Sequence, residues 1–170
     1  MRKIAESIEY SPATIYLHFQ NRDEIATALV RAGFEKLVAQ LTPAASIADP
    51  LERVVAIGTH YLAFAQAEPE TYRLIFMEDE RFAAPIMHAI KDSGDDAGGG
   101  AFDFLRATVD DLIAAGTFRA LDSSAVAALL WAGLHGIAAL KLTCRDYPFA
   151  GTMTEPGALM IDTLIRGFRA

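Results

Sequence analysis

The sequence predicts an all-α protein, because three observations point the same way. Apolar residues recur at the i, i+3, i+4 spacing of a helix along most of the chain, and no segment shows sustained strand alternation. Proline and capping residues stand where these periodic segments begin. Of the 170 residues, 52% are hydrophobic and 22% are charged. This composition can bury a sizeable core and excludes an intrinsically disordered chain.

Two short helices are predicted at the front of the chain. Apolar residues on one face predict a helix over 2–8, which Glu9 ends. Ser11 followed by Pro12 is typical of an N-cap and the first helical residue, and predicts a second helix over 12–19. Glu9 lies in the turn between them.

A longer helix is predicted over 22–41. Asn21 is the predicted N-cap, and Glu24, three residues further on, is the predicted capping-box partner. The following residues, 42–50, are rich in Thr, Pro, Ala and Ser. We interpret them as a linker and place a domain boundary after residue 42.

Six further helices are predicted in the rest of the chain. Between two of them, residues 92–100 hold four glycines and three aspartates in a mobile loop. Because no strand precedes this loop and no Gly-Lys-Ser/Thr follows, we interpret it as a linker rather than a phosphate cradle. The six helices are one capped by Asp49 with Pro50 at its start, one from Pro69, one over 83–91, one over 102–115 that ends at Gly116, a long apolar one from Asp122 to about Leu142, and one capped by Thr154.

The charge is distributed unevenly between the two predicted domains. Residues 1–42 carry five basic and five acidic side chains, whereas residues 43–170 carry ten basic and seventeen acidic ones. The net charge of −7 therefore belongs to the second domain. Only the first, neutral domain is suited to meet a polyanion such as DNA.

The sequence also bears on cellular location. A single cysteine, Cys144, excludes an intrachain disulfide framework and a cysteine-ligated zinc finger. No apolar stretch follows the basic start, so we expect no signal peptide and a cytoplasmic protein. The uncharged run over 125–140 would span about 24 Å, less than the ~30 Å hydrocarbon core of a membrane, and predicts a buried helix.

The first residues predict a helix-turn-helix, in which the second helix enters the major groove of DNA. Residues 4–25 read Ile-Ala-Glu-Ser-Ile-Glu-Tyr-Ser-Pro-Ala-Thr-Ile-Tyr-Leu-His-Phe-Gln-Asn-Arg-Asp-Glu-Ile. This segment resembles the helix-turn-helix of the TetR/AcrR family of bacterial transcription regulators. Two downstream stretches, Glu68 to Leu74 and Trp131-x-x-x-His135-Gly136, resemble a ligand-binding domain type of that family, often named for its Trp-His-Gly signature.

The resemblance implies a homodimer that binds a DNA operator through the N-terminal domain and a small effector through the C-terminal one. The family has one more helix before the helix-turn-helix, so the resemblance also implies that a first helix is missing here. A chain without it would have an alternative function, that of a small-molecule-binding helical dimer that has lost DNA binding. The DNA-facing residues implied by position are Ser11, Ala13, Thr14, Tyr16, His18 and Arg22.

An effector site is predicted among the aromatic residues of the second domain. Such residues line pockets for hydrophobic ligands, but they also form ordinary cores, and both interpretations stay open. The same holds for His135, which is either a hydrogen-bonded core histidine or a group that faces the effector. The predicted lining residues are Tyr61, Phe64, Phe76, Phe102, Trp131 and His135.

A subunit interface is predicted on the long apolar helix. Small residues four apart let a second helix approach closely, and a helix that is apolar all round needs cover on every side. The last helix supplies only part of that cover, so two helices from each chain would form a four-helix bundle; a wholly intrachain core is the alternative. The predicted interface residues are Ala128, Ala132, Gly136, Leu164 and Phe168.

No catalytic or metal-binding pattern accompanies these sites. The four histidines include no pair four residues apart, so we expect no metal and no cofactor. Ser123 and Ser124 have no His/Asp setting, and Cys144 has no basic neighbour except Arg145, so no activated nucleophile is predicted. We therefore expect a protein that is not an enzyme.

Overall fold

The computed structural model describes residues 9, 11–78, 80–92, 99–144 and 153–170. Within these residues the chain forms α-helices and one short 3-10 helix, and no strand. This confirms the all-α prediction for the described part of the chain. The predicted helix over 2–8 and most of the glycine-rich loop lie outside the described residues.

Eight α-helices are described, and we number them in chain order. Their bounds lie within three residues of those predicted. They are α1 (Pro12–His18), α2 (Arg22–Leu41), α3 (Pro50–Ala67), α4 (Pro69–Phe76), α5 (Glu80–Asp92), α6 (Gly99–Ala114), α7 (Ser123–Thr143) and α8 (Thr154–Phe168).

Side-chain caps define the starts of α1 and α2. Ser11 Oγ accepts a hydrogen bond from the Thr14 backbone N–H at 3.2 Å, and Asn21 Oδ1 accepts one from the Glu24 N–H at 2.8 Å. The capping box predicted for α2 differs in one bond. Glu24 Oε2 accepts from the backbone N–H of Gln20, at 2.6 Å, and not from that of Asn21. The carboxylate thus secures the turn that joins α1 to α2.

The segment predicted as a linker is more ordered than expected. A 3-10 helix, Thr42–Ser46, follows α2 directly and buries Ala44 completely. Arg53 of α3 then holds the next residues, since its guanidinium donates to the carbonyls of Ile47 at 2.9 Å and Ala48 at 3.1 Å. The connection between the two predicted domains therefore packs against the core.

Helix ends further along the chain agree with one prediction and correct another. Gly116 has φ +70°, and the N–H of Thr117 reaches the Leu112 carbonyl at 3.0 Å, so α6 ends in the glycine cap that was predicted. Thr154, the predicted cap of α8, is instead its first helical residue. The buried Met153 occupies the cap position, where core packing replaces a capping hydrogen bond.

Helix α3 lies at the centre of the bundle and packs on α2, α4, α6, α7 and α8. Helix α7 is 21 residues long and, by length and composition alone, could cross a membrane, so the length argument made from the sequence does not hold. It packs on α3, α6 and α8, but only 33% of its apolar stretch is buried, so it is less buried than the sequence predicts. The residues it buries are Val126, Ala127, Leu130, Leu134, Ile137 and Ala138.

Candidate DNA-binding and effector sites

Helix α1 presents nearly all of its described side chains to solvent. Ile15 is the one described residue of α1 that is buried, at 8% exposure. Tyr16 is 50% exposed, and Thr14 is partly buried. The other predicted DNA-facing residues, Ser11, Ala13, His18 and Arg22, are all exposed.

Hydrogen bonds fix the start of this exposed helix. The hydroxyls of Ser11 and Thr14 lie 2.8 Å apart, in addition to the capping bond between the two residues. Glu9 precedes the helix with φ 59°, a left-handed backbone that costs a non-glycine residue about 1–2 kcal/mol. Arg22 begins α2, where a basic side chain beside a helix N-terminus can attract phosphate.

A cluster of aromatic rings joins α2, α3, α4, α6 and α7. The ring centroids of Tyr61 and Trp131 are 5.0 Å apart, and those of Tyr72 and Phe76 are also 5.0 Å apart. Phe102 of α6 reaches Trp131 at 6.1 Å. Five of the six predicted effector-site residues therefore lie in one contiguous group: Tyr61, Phe76, Phe102, Trp131 and His135.

Phe64, the sixth predicted residue, stands apart from this group. Its side chain is buried in the core, and among the described residues it makes no ring contact. Two aromatic residues outside the predicted set belong to the cluster instead. Phe34 of α2 packs edge-on against Phe76 with centroids 5.8 Å apart, and Tyr72 stacks on the imidazole of His135 at 5.6 Å.

Two tyrosine hydroxyls and one imidazole form a hydrogen-bonded triangle inside the cluster. Tyr72 Oη lies 2.7 Å from His135 Nδ1, Tyr61 Oη lies 3.2 Å from the same nitrogen, and the two hydroxyl oxygens are 2.9 Å apart. His135 thus makes the hydrogen bonds of a core histidine. Its ring is half-buried.

Counting protons assigns the tautomer of His135. If Nδ1 carried the proton, this triangle would hold three donors, and one tyrosine proton would have no acceptor in it. If Nδ1 is bare, Tyr72 donates to it and Tyr61 donates to the Tyr72 oxygen, so both protons are used. The proton then sits on Nε2, which makes no hydrogen bond to the described residues.

Burial shifts the pKa of each member of the triangle. It raises the pKa of Tyr72 to about 12 and raises that of Tyr61 further, because the phenolate would lose its hydration. Burial lowers the pKa of His135, since the imidazolium is disfavoured in the same way. The triangle is therefore neutral near pH 7, and Nε2–H is its one outward donor.

Helix α4 connects this cluster to the helix that follows the helix-turn-helix. A Cβ added to Gly33 of α2 would lie 2.8 Å from the Ile75 side chain, so the two helices are in close contact. Lys36 of α2 bonds Glu68 at 2.9 Å, and that partner lowers the pKa of the Glu68 carboxyl. On the other side, Arg73 donates to the Leu142 carbonyl of α7 at 2.6 Å.

The outer faces of α7 and α8 carry exposed apolar residues. Leu129 is 54% exposed and Leu159 is 69% exposed. Ala128 and Ala132 are exposed beside Leu129, and a Cβ added to Gly136 would meet nothing within 4 Å. Two other predicted interface residues turn inward: Leu164 is half-buried, and Phe168 is buried with its ring 5.6 Å from that of Phe118. Phe168 thus contributes to the intrachain core.

Two open clefts lie between α2 and α5. One has a volume of about 470 Å³ and the other about 430 Å³, and Asp23 and Phe82 line both. None of the six predicted effector-site residues borders either cleft. In the described part of the chain, no group of three His, Cys, Asp or Glu residues is close enough to hold a metal ion.

Two sequence families match this chain. The family of bacterial regulatory proteins of the tetR type matches residues 1–29, and the family described as tetracyclin repressor-like, C-terminal domain, matches residues 54–165. The chain belongs to the TetR family. The helix-turn-helix and the helical C-terminal domain of TetR-family transcription regulators thus account for the two halves of this fold. No curated protein sequence matches the chain.

Solved structures share the fold over nearly the whole chain. A protein with unknown function from Rhodococcus sp. RHA1 is similar at 26% identity and TM-score 0.79, over 99% of this chain and 84% of that chain. The fatty acid degradation regulator FadR from Bacillus halodurans is similar at 16% identity and TM-score 0.77, over 99% and 88%. The TetR-family regulator PfmR from Thermus thermophilus is similar at 18% identity and TM-score 0.73, over 99% and 88%.

Proposed function

We propose that this TetR-family regulator is a cytoplasmic repressor that a small hydrophobic effector releases from its operator. The observation that carries the proposal is the position of α4. This helix contacts the imidazole of His135 through Tyr72 and contacts α2 through Gly33 and Phe34. A ligand that displaces α4 would therefore act directly on the helix that follows α1.

The DNA-binding domain in this proposal extends to residue 42, and α1 is its recognition helix, the reading helix that enters the major groove of DNA. Tyr16 and Thr14 offer hydroxyls on the two flanks of α1, where they can donate to phosphate oxygens. Arg22 and His18 add basic groups at the far end. Residues 43–170 then form the domain that binds the effector and the second subunit.

The effector of this proposal has an apolar body and a hydrogen-bond acceptor. The rings of Tyr61, Phe76 and Trp131 suit the apolar part, because aromatic side chains favour planar or hydrophobic groups. The acceptor would take the free Nε2–H of His135. The effector can shift the regulator away from its DNA-bound state only by the difference between its affinities for the two states.

The proposed dimer joins α7 and α8 of two chains in a four-helix bundle. Leu129 and Leu159 supply exposed apolar area, and Ala128, Ala132 and Gly136 let the partner helix approach. Two reading helices then face DNA about one turn, roughly 34–36 Å, apart. The proposed function is that of a regulator and not of an enzyme.

The repressor proposal is tested by a gel shift on duplexes tiled across the DNA upstream of the gene. We expect one duplex to be retained by the full chain and to be released by an apolar carbonyl or carboxylate compound from a screened set. His135→Gln should bind the same duplex and respond to that compound at a concentration about tenfold higher. A chain that retains no duplex at any salt concentration contradicts the repressor function.

The dimer is tested separately with two glycines. Gly136→Leu should make the chain monomeric in sedimentation, because its Cβ points at the proposed partner. Gly100→Leu is the matched control, since a Cβ there also meets nothing within 4 Å but lies at the start of α6. A Gly136→Leu chain that stays dimeric would remove α7 from the proposed interface.

A further inference from the structure

The outermost side chains of the reading helix are apolar. Leu17 is 81% exposed, more than any other large hydrophobic residue in the described part of the chain. At about 100° per residue, Leu17 and Ala13 each point about 160° away from the buried Ile15. Thr14 and Tyr16 lie about 100° from Ile15 on opposite sides. The side of the helix that faces away from the core, which we call its tip, therefore carries the apolar pair Leu17 and Ala13, flanked by the hydroxyls of Thr14 and Tyr16.

This arrangement separates two kinds of contact with DNA. Hydroxyls on the flanks of a helix in the major groove reach the phosphates on either side, which position the protein but carry no sequence information. The side chains at the tip reach the base edges at the floor of the groove. Thymine alone among the four bases presents a methyl group there, and an aliphatic side chain is its natural contact.

We propose that Leu17, supported by Ala13, reads the 5-methyl group of a thymine in each operator half-site. The inference rests on the proposed DNA-binding function and adds the base that the reading helix selects. Burying one methyl group against Leu17 should favour thymine over a base without it by about fourfold.

A protein partner would fit this surface less well than DNA. Among the described residues, Tyr16, His18 and Arg22 are exposed as well, so Leu17 and Ala13 form a small apolar pair among polar and basic side chains. The basic side chain of Arg22 favours a polyanion, although the chain as a whole carries −7. The charge and the small apolar area together indicate a groove rather than a hydrophobic interface.

The test uses the full chain and a duplex recovered by repeated selection from a random 30-base-pair library. Each thymine of the recovered duplex is replaced by uracil, which removes the methyl group and changes nothing else on the base edge. We expect about fourfold weaker binding at one thymine position in each half-site. In Leu17→Ala, thymine and uracil should bind equally at those positions, whereas Leu17→Met should keep most of the preference.

Controls separate a lost contact from a lost fold. Leu17→Ala should melt at the temperature of the unaltered chain, because the side chain touches so little of the protein. Val38→Ala, which also shortens an exposed apolar side chain but lies near the end of α2, should retain the full uracil effect.

The outcomes are distinct. Tight binding by the unaltered chain with no uracil effect at any position overturns the role of Leu17 and leaves the repressor function standing. An equal uracil effect in the unaltered chain and in Leu17→Ala also overturns it. Failure to recover any duplex overturns this inference and the DNA-binding function together.

Discussion

Helices α1 and α7 carry the two proposed sites and are built in opposite ways. Helix α1 has seven residues and is held by the buried side chain of Ile15, by the side-chain cap of Ser11 at its start and by the backbone N–H of Phe19 at its end. Helix α7 has 21 residues and buries six of them. Its His135 is hydrogen-bonded to the hydroxyl groups of Tyr61 in α3 and Tyr72 in α4. The first surface is defined by local geometry, and the second exists only once three helices have packed.

This difference predicts different costs for substitutions. A change at the exposed face of α1 removes no core contact, so it should alter DNA affinity and leave stability within about 0.5 kcal/mol. A change within the aromatic cluster removes packing and hydrogen bonds at once. The two tyrosines Tyr61 and Tyr16, one in each region, provide a direct comparison.

The largest effect is expected from Tyr61→Ala. This side chain is buried and contacts Tyr72, Phe76 and Trp131, so its removal should lower the free energy of unfolding by about 3–5 kcal/mol, as for other large core aromatics. Urea denaturation of the chain measures this loss. Tyr61→Phe is the control and should lose only the hydroxyl, at about 1–3 kcal/mol. A loss below about 1 kcal/mol for the alanine variant would show that the cluster is loosely packed.

Tyr16→Ala should show the reverse pattern. We expect DNA affinity about tenfold to a hundredfold weaker, because a hydrogen bond to a charged phosphate contributes about 1.5–3 kcal/mol. The free energy of unfolding should hardly change. A titration of the selected duplex at fixed salt measures the affinity, and Tyr16→Phe separates the hydroxyl from the ring. Unchanged affinity in both variants would remove Tyr16 from the reading surface.

The sequence predicted the helices well because their ends are set by local chemistry. Ser11, Asn21, Asp49 and Asp122 each cap the helix that was expected to follow. Thr154 was the wrong choice because Met153 is drawn into the core, and no local pattern shows that. The same is true of the 3-10 helix at 42–46, whose packing depends on a buried alanine.

The candidate effector site could be predicted only in part. Aromatic content indicated a cluster, but the partner of His135 lies 63 residues away in the sequence, and spacing alone could not identify Tyr72. The one signal that pointed to Tyr72 was the segment from Glu68 to Leu74, which resembles the ligand-binding domain type named for its Trp-His-Gly signature. The proposed role of Leu17 has no sequence signal for a different reason, since the exposure of a leucine is known only once the helix is placed.

The triangle around His135 should make stability depend on pH. Because the pKa of His135 is lowered in the folded state, His135 binds a proton in the unfolded chain first as the pH falls below about 6.5. Stability should therefore fall with acidification, with a slope of at most about 1.4 kcal/mol per pH unit from this group. Urea denaturation between pH 7.5 and 5 measures the slope.

His135→Gln is the control for this pH dependence, since glutamine does not titrate. Its stability should be lower at pH 7.5 but should fall less steeply toward pH 5. Parallel curves of stability against pH for the unaltered chain and His135→Gln would mean that another group controls the slope.

Tyr61 and Tyr72 should make stability depend on pH at the alkaline end of the range. Their raised pKa values predict a loss of stability above about pH 10, where the unfolded chain releases the phenolic protons first.

The smallest expected effect is at the turn that leads into α1, and it sharpens the claim that this region is defined locally. Glu9 has φ 59°, which costs a non-glycine residue about 1–2 kcal/mol, whereas glycine adopts this backbone freely. Glycine also loses more entropy on folding, so Glu9→Gly should stabilise the chain by only about 0.5–1 kcal/mol. Glu9→Ala removes the same carboxylate but keeps the strain, and should leave stability unchanged in the same urea titration. Equal stabilisation by both variants would assign the effect to the lost charge, and the turn would then not limit how α1 is held.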